Sequence, residues 1–140
     1  YYQLDTQQKK HQQWRLAYNY YNAGEYQIAW PLLYQICSEE ITYWISTEVI
    51  SNYNLITARC SLEMYFETRD KIYLHHAYNF YQVSIETMKF DIYAMFRLPQ
   101  VLQEYGIVME HYGAFEAAMT TYSKILSNFP NYSGYFHVMY

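Results

Sequence analysis

Two adjacent histidines, His75 and His76, are the most chemically suggestive pair in this chain of 140 residues. Successive residues of a helix point about 100° apart, so the two rings cannot easily hold one metal ion together. A zinc site needs further ligands about one turn away, and the nearby Lys71, Ile72 and Asn79 supply none. The spacing therefore predicts no metal site at this pair.

Carboxylates at helical spacing are the second candidate for chemistry. Glu63 and Glu67 lie one turn apart and Asp70 follows, with Arg59 and Lys71 close in sequence. Opposite charges at this spacing usually form solvated pairs worth about 0.3 kcal/mol. The chain also has no Gly-rich phosphate loop and no serine in a nucleophile elbow. The sequence thus predicts no enzyme activity, no cofactor and no metal.

Composition restricts the classes of partner. The formal net charge is −4, and the single basic cluster, Lys9, Lys10 and Arg15, is too small for a nucleic-acid surface. No apolar run approaches the roughly 18 residues of a membrane span, so no membrane insertion is predicted. The 20 tyrosines leave two interpretations open, a tyrosine-rich core and an interaction surface.

The two cysteines, Cys37 and Cys60, lie among apolar residues of predicted helices. Their spacing is not that of a metal site, so both are expected to be reduced core residues. Reduced thiols indicate a reducing compartment, and the predicted location is the cytoplasm. Because the chain begins at Tyr1 without Met, we expect it to be part of a longer protein.

Apolar residues recur at helical spacing along the whole chain, which predicts one all-α domain over residues 1–140. The predicted helices cover residues 8–22, 26–38, 43–66, 71–88, 98–111 and 115–127. They form pairs over about 8–41, 43–89 and 98–130, and residues 131–140 begin a further helix or form a tail. Gly24 and Gly113 suit left-handed helix ends, and Asp70 is a predicted N-cap.

The same short pattern occurs twice, at Gly24–Ala29 and at Gly113–Ala118: Gly, any residue, an aromatic residue, two residues and Ala. Around the second copy stand Leu102, Tyr105-Gly106, Tyr122 and Pro130, and around the first stand Leu16-Ala17 and Tyr20. These positions resemble the tetratricopeptide repeat, a helix pair of about 34 residues. Residues 42–98 depart from the pattern, because the two glycines are not a whole number of repeats apart.

The resemblance implies antiparallel helix pairs stacked as a fragment of a right-handed α-solenoid. It also implies a concave groove lined by the first helix of each pair. Carried over to this chain, that groove would contain the following residues: Trp14, Arg15, Tyr18, Tyr21, Asn22, Gln103, Glu104, Ile107, Glu110 and His111. Two interpretations of the aromatic stripe at positions 14, 18 and 21 stay open, an exposed groove and packing against a neighbouring repeat.

The function that this implies is a non-catalytic scaffold, which binds other protein subunits in a larger assembly, for example of trafficking or ciliary type. A stand-alone adaptor for a linear peptide is the alternative, and a helical-repeat RNA-binding protein is a third, disfavoured by the acidic charge. Glu104 and Glu110 would repel a carboxylate, so no acidic C-terminal peptide of the chaperone type is expected to bind.

Overall fold

The computed structural model describes residues 6–39, 47–92 and 94–132. Within these ranges the chain forms α-helices, one short 3₁₀ helix and no strand, so the all-α prediction is confirmed. The helices are α1 (Thr6–Asn22), α2 (Tyr26–Ser38), α3 (Thr47–Thr68), α4 (Lys71–Met88), α5 (Leu98–Tyr112) and α6 (Phe115–Asn128), and the 3₁₀ helix is Met95–Arg97.

Most helix ends lie within two residues of their predicted positions. α3 continues to Thr68, two residues past the expected end, and the break comes at Arg69, whose φ is 59°. Asp70 caps α4 as predicted, because its carboxylate accepts a hydrogen bond of 3.1 Å from the Ile72 N–H. Three predictions fall on residues that lie outside the described ranges. They are the start of the third helix and second pair at residue 43, the end of the first pair at residue 41, and the further helix after residue 132.

The two Gly-containing turns have the same backbone geometry. Gly24 and Gly113 have φ values of 78° and 83°, a region that glycine adopts without strain. The residues that follow, Glu25 and Ala114, have φ/ψ of −85°/65° and −85°/66°. Each of these two donates its N–H to a carbonyl of the preceding helix at 2.9 Å. The pairs α1–α2 and α5–α6 therefore turn in the same way.

Contacts between helix ends show that successive helices run antiparallel. Lys10 near the start of α1 forms an ion pair with Glu39, just after α2. The Ser84 hydroxyl of α4 donates to the Ser51 carbonyl of α3 at 2.9 Å. Four small residues of the repeated pattern are buried: Ala17, Ala29, Gly106 and Ala118. One apolar cluster joins α1, α2 and α3, and a second joins α3, α4 and α5.

Candidate protein-binding face

Three alternate helices, α1, α3 and α5, together form one face, called here the α1–α3–α5 face. Each contributes a stripe of exposed or half-buried residues one or two turns apart. The stripes are His11, Arg15, Tyr18 and Asn22 on α1; Asn52, Arg59, Glu63 and Phe66 on α3; and Gln100, Glu104, Ile107 and His111 on α5.

Arg59 and Glu104 join α3 to α5 near the middle of this face. Arg59 Nε donates to Glu104 Oε1 and Nη2 donates to Oε2, each at 2.8 Å, which is a bidentate pair. The two side chains are 23% and 21% exposed, so water screens the pair only in part. Burial by itself would lower the pKa of Arg59, but the hydrogen bond and charge of Glu104 outweigh it and raise that pKa.

Tyr81 of α4 contacts this ion pair from the interior of the protein. Its side chain is 1% exposed, and its hydroxyl donates to Glu104 Oε1 at 2.8 Å. Burial, followed by the negative charge of Glu104, raises the pKa of Tyr81 well above its usual value, so this hydroxyl stays a donor. The Glu104 carboxylate is thus satisfied inside the protein and is positioned by three helices.

An aromatic row leads from α1 towards this ion pair. Trp14 stacks on Tyr18 with ring centroids 5.5 Å apart, and Tyr18 stacks on Tyr21 at 6.4 Å. Burial raises the pKa of Tyr21 to about 12, although the nearby Arg59 acts to lower it. The row ends at Tyr21, whose pKa responds to the charges of Arg59 and Glu104.

Phe66 and two carboxylates lie at the other end of the α3 stripe. Phe66 is 36% exposed, and its ring lies 5.2 Å from that of His111 on α5. Burial, and then the like charge of Glu67, raise the pKa of Glu63 above its usual value. Among residues 6–39, 47–92 and 94–132, neither Glu63 nor Glu67 forms an ion pair.

The ten residues chosen from the sequence occupy different environments. Trp14 is 7% exposed and stacks on Tyr53 of α3 at 4.0 Å, so this ring packs against the next helix pair. Gln103 accepts a hydrogen bond of 2.9 Å from Tyr132, and Glu110 hydrogen-bonds to Tyr122. The remaining residues are partly or largely accessible: Arg15, Tyr18, Tyr21, Asn22, Glu104, Ile107 and His111.

Sequence reasoning missed the whole contribution of α3. Arg59 was expected to neighbour Glu63 and Glu67 on a solvated helix surface, but it pairs with Glu104, 45 residues further along the chain. No local signal indicates such a pair. The helical spacing of Arg59, Glu63 and Phe66 does place them on one stripe, and this was the signal available in the sequence.

The histidines considered for chemistry are engaged in packing. His75 Nδ1 lies 3.1 Å from the Tyr112 hydroxyl, while the ring of His76 lies 5.2 Å from that of Trp30 and 5.0 Å from that of Tyr34. Burial, and then the charge of His75, lower the pKa of His76. Over the described ranges there is no group of three His, Cys, Asp or Glu side chains that could hold a metal ion.

Both cysteines are free thiols. Burial raises the pKa of Cys37 to about 11 and that of Cys60 to about 12. None of the helices within the described residues is both long enough and apolar enough to cross a bilayer.

Comparison with protein-family models, with curated proteins and with solved structures gives no match.

Proposed function

We propose that this protein is a non-catalytic scaffold that binds another protein through the α1–α3–α5 face, as a subunit of a larger assembly of the trafficking or ciliary type. The observation that carries the proposal is the bidentate pair between Arg59 and Glu104. Because this pair ties α3 to α5, the exposed stripes form one surface of fixed shape. A preorganised surface loses less conformational entropy when a partner binds.

A tetratricopeptide-like arrangement is part of the same proposal. In such an arrangement, first helices contact first helices and second helices contact second helices. Three side-chain contacts support it: Trp14 with Tyr53, Arg59 with Glu104, and Trp30 with Tyr73, whose ring centroids are 5.1 Å apart. Stacked pairs of this kind bind partners along an extended surface.

The chemistry of the face indicates a partner segment that is basic and partly apolar. Glu63 and Glu67 flank the exposed ring of Phe66, so a cation and an apolar side chain could be bound side by side. Glu104 was expected to repel carboxylates, but Arg59 neutralises it. The exclusion of acidic C-terminal peptides therefore depends on Glu63, Glu67 and the exposed Glu110.

Affinity capture with matched variants tests this proposal. Phe66→Glu places a charge on the face, whereas Ile72→Glu places the same charge on α4 at a residue that is 49% exposed. We expect a protein captured by the unmodified chain to be lost with Phe66→Glu and retained with Ile72→Glu, while both variants keep the helical circular dichroism of the parent. Retention of that protein by both folded variants would rule out binding through this face.

A further inference from the structure

The connections within the three helix pairs lie at one end of the protein, called here the turn end. They are the turns at Gly24 and Gly113 and the break at Arg69 between α3 and α4. Because successive helices run antiparallel, the residues outside the described ranges join the helices at the opposite end. The residues within about two helical turns of the three connections, which make up the turn end, are all described.

The net negative charge of the chain is concentrated at the turn end. The carboxylates there belong to Glu25, Glu63, Glu67, Asp70, Glu110 and Glu116. Two cations, Arg69 and Lys71, lie among these six carboxylates, so the turn end carries a formal charge of −4. The formal net charge of the whole chain is also −4, so the charges of all other residues cancel. A surface with this charge attracts a cationic partner.

Two tyrosine rings form a corner at the turn end, where α1 leads into α2. The ring centroids of Tyr21 and Tyr26 are 5.7 Å apart and the rings are inclined at 56°, so their faces point in different directions. Both side chains are half-buried. The Cys60 thiol of α3 donates to the Tyr26 carbonyl at 3.8 Å, which places α3 beside this pair of rings, called here the tyrosine corner. Tyrosine faces of this kind attract cations.

Carboxylates and then an apolar ring follow the tyrosine corner in the direction of α5. Burial raises the pKa of Tyr26 above its usual value, and the charges of Glu63 and Glu67 raise it further, so both carboxylates lie near its hydroxyl. Phe66 and Glu67 lie on opposite sides of Glu63 around the helix. The ring of Phe66 contacts that of His111 on α5. The turn end therefore presents tyrosine faces, carboxylates and an apolar ring in this order.

Arginine is the cation that fits both kinds of group at this corner. A guanidinium group stacks on the face of a tyrosine ring and forms two parallel hydrogen bonds with a carboxylate. The chain itself contains both contacts: Arg59 forms the bidentate pair with Glu104, and Arg69 Cζ lies 5.9 Å from the centroid of the Tyr65 ring. A lysine ammonium is a point charge and forms neither the flat stack nor the paired hydrogen bonds.

We propose that the partner segment places an arginine in the tyrosine corner, beside Glu63 and Glu67, and an apolar side chain against Phe66. This inference rests on the function proposed above. The corner lies where α1 and α2 meet α3, and Phe66 lies where α3 meets α5, so the two contacts are about one helix separation, roughly 8–10 Å, apart. Residues three apart in an extended polyproline-II segment point the same way and are about 9 Å apart. The apolar residue is therefore expected three positions from the arginine.

Peptide titration of the full chain tests this pairing. The probe is the peptide acetyl-Ala-Arg-Ala-Ala-Leu-Ala-amide, and matched probes carry lysine or the uncharged isostere citrulline in place of arginine. The readouts are the NMR amide resonances of residues 21–26 and 60–67 and the titration of the Glu63 carboxyl. We expect the arginine peptide to shift these resonances and to lower the pKa of Glu63, and both matched probes to bind at least about fivefold more weakly. A matched probe that binds as tightly as the arginine peptide, or no shift at about 10 mM arginine peptide, would overturn the proposal.

Affinity capture separates this inference from the function on which it rests. The double variant Glu63→Gln/Glu67→Gln removes the two carboxylates, whereas Glu86→Gln/Glu116→Gln removes the same charge from exposed positions on α4 and α6. We expect the captured protein to be lost with the first variant and retained with the second, while both keep the helical circular dichroism of the parent. A protein that Phe66→Glu loses but Glu63→Gln/Glu67→Gln retains would overturn the arginine contact and leave binding through the face intact. Retention by Phe66→Glu as well would overturn the proposed function itself.

Discussion

The ring of Tyr122 occupies the space where Gly106 lacks a side chain. A Cβ atom at position 106 would lie 2.7 Å from Cζ and 3.0 Å from Oη of Tyr122, well inside normal contact distance. This close approach packs α5 against α6 about two helical turns before Gly113. Burial raises the pKa of Tyr122, and its bond to Glu110 does so further, so the phenol stays neutral at this crossing.

Gly106→Ala is expected to destabilise the protein by up to about 2 kcal/mol. Ala in a helix gains about 1 kcal/mol over Gly, but overpacking against the Tyr122 ring costs about 1–3 kcal/mol. Chemical denaturation with Tyr122→Ala as the second arm of a double-mutant cycle measures the coupling. If Gly106→Ala instead stabilised the protein by the full helix-propensity gain, the Tyr122 ring would not pack closely against position 106.

Arg59→Met is expected to lower the free energy of unfolding by about 3 kcal/mol, because it leaves the Glu104 carboxylate largely buried without its cation. The matched control is Lys89→Met, which breaks an ion pair between Lys89 and Glu86 whose side chains are 51% and 66% exposed. That control should cost less than about 0.5 kcal/mol. Urea denaturation of both variants makes the comparison, and equal losses would contradict a central role for Arg59.

Glu63→Gln is expected to stabilise the protein at pH 7 by less than about 1 kcal/mol, since solvent screens this side chain. The folded-state pKa of Glu63 is raised above its unfolded value of 4.5, so folding favours the protonated form. The corresponding stability is present below pH 4.5 and is lost as pH rises through the raised pKa. The gain should therefore vanish near pH 4. A gain in stability that is larger at pH 4 than at pH 7 would contradict a raised pKa for Glu63.

The cysteines should react slowly in the folded protein. With its pKa raised to about 11, Cys37 has roughly a hundredfold less thiolate at pH 8 than an ordinary cysteine, and Cys60 has less still. Alkylation at pH 8 should therefore be at least 100 times slower in buffer than in guanidinium chloride. Rapid labelling of either thiol in the native protein would show that the packing around α2 and α3 is looser than described.

Local sequence features predicted the helices well, because their determinants lie within one or two turns. Gly24, Gly113 and Asp70 each act on the neighbouring backbone, so their roles could be inferred before any contact was known. The resemblance to the tetratricopeptide repeat also included the small residues Gly106 and Ala118, and both are buried.

The candidate face was less predictable, since it depends on which helices become neighbours. The pairing of Arg59 with Glu104 joins residues 45 positions apart, and no local pattern specifies it. The environment of Trp14 is a similar case: its helical spacing fits both a groove and a core, and only the position of Tyr53 decides between them. The α3 residues lay in the part of the chain without a matching pattern and so were not assigned to the face.

Site-specific photo-crosslinking tests the central claim, partner binding through the α1–α3–α5 face, most directly. A photoreactive phenylalanine would replace Tyr18 or Phe66 on this face, or Val83 on α4 as a control that is 45% exposed. We predict a crosslink to the same protein from positions 18 and 66 and none from position 83. Crosslinking to that protein from position 83, with none from 18 or 66, would contradict the proposed binding face.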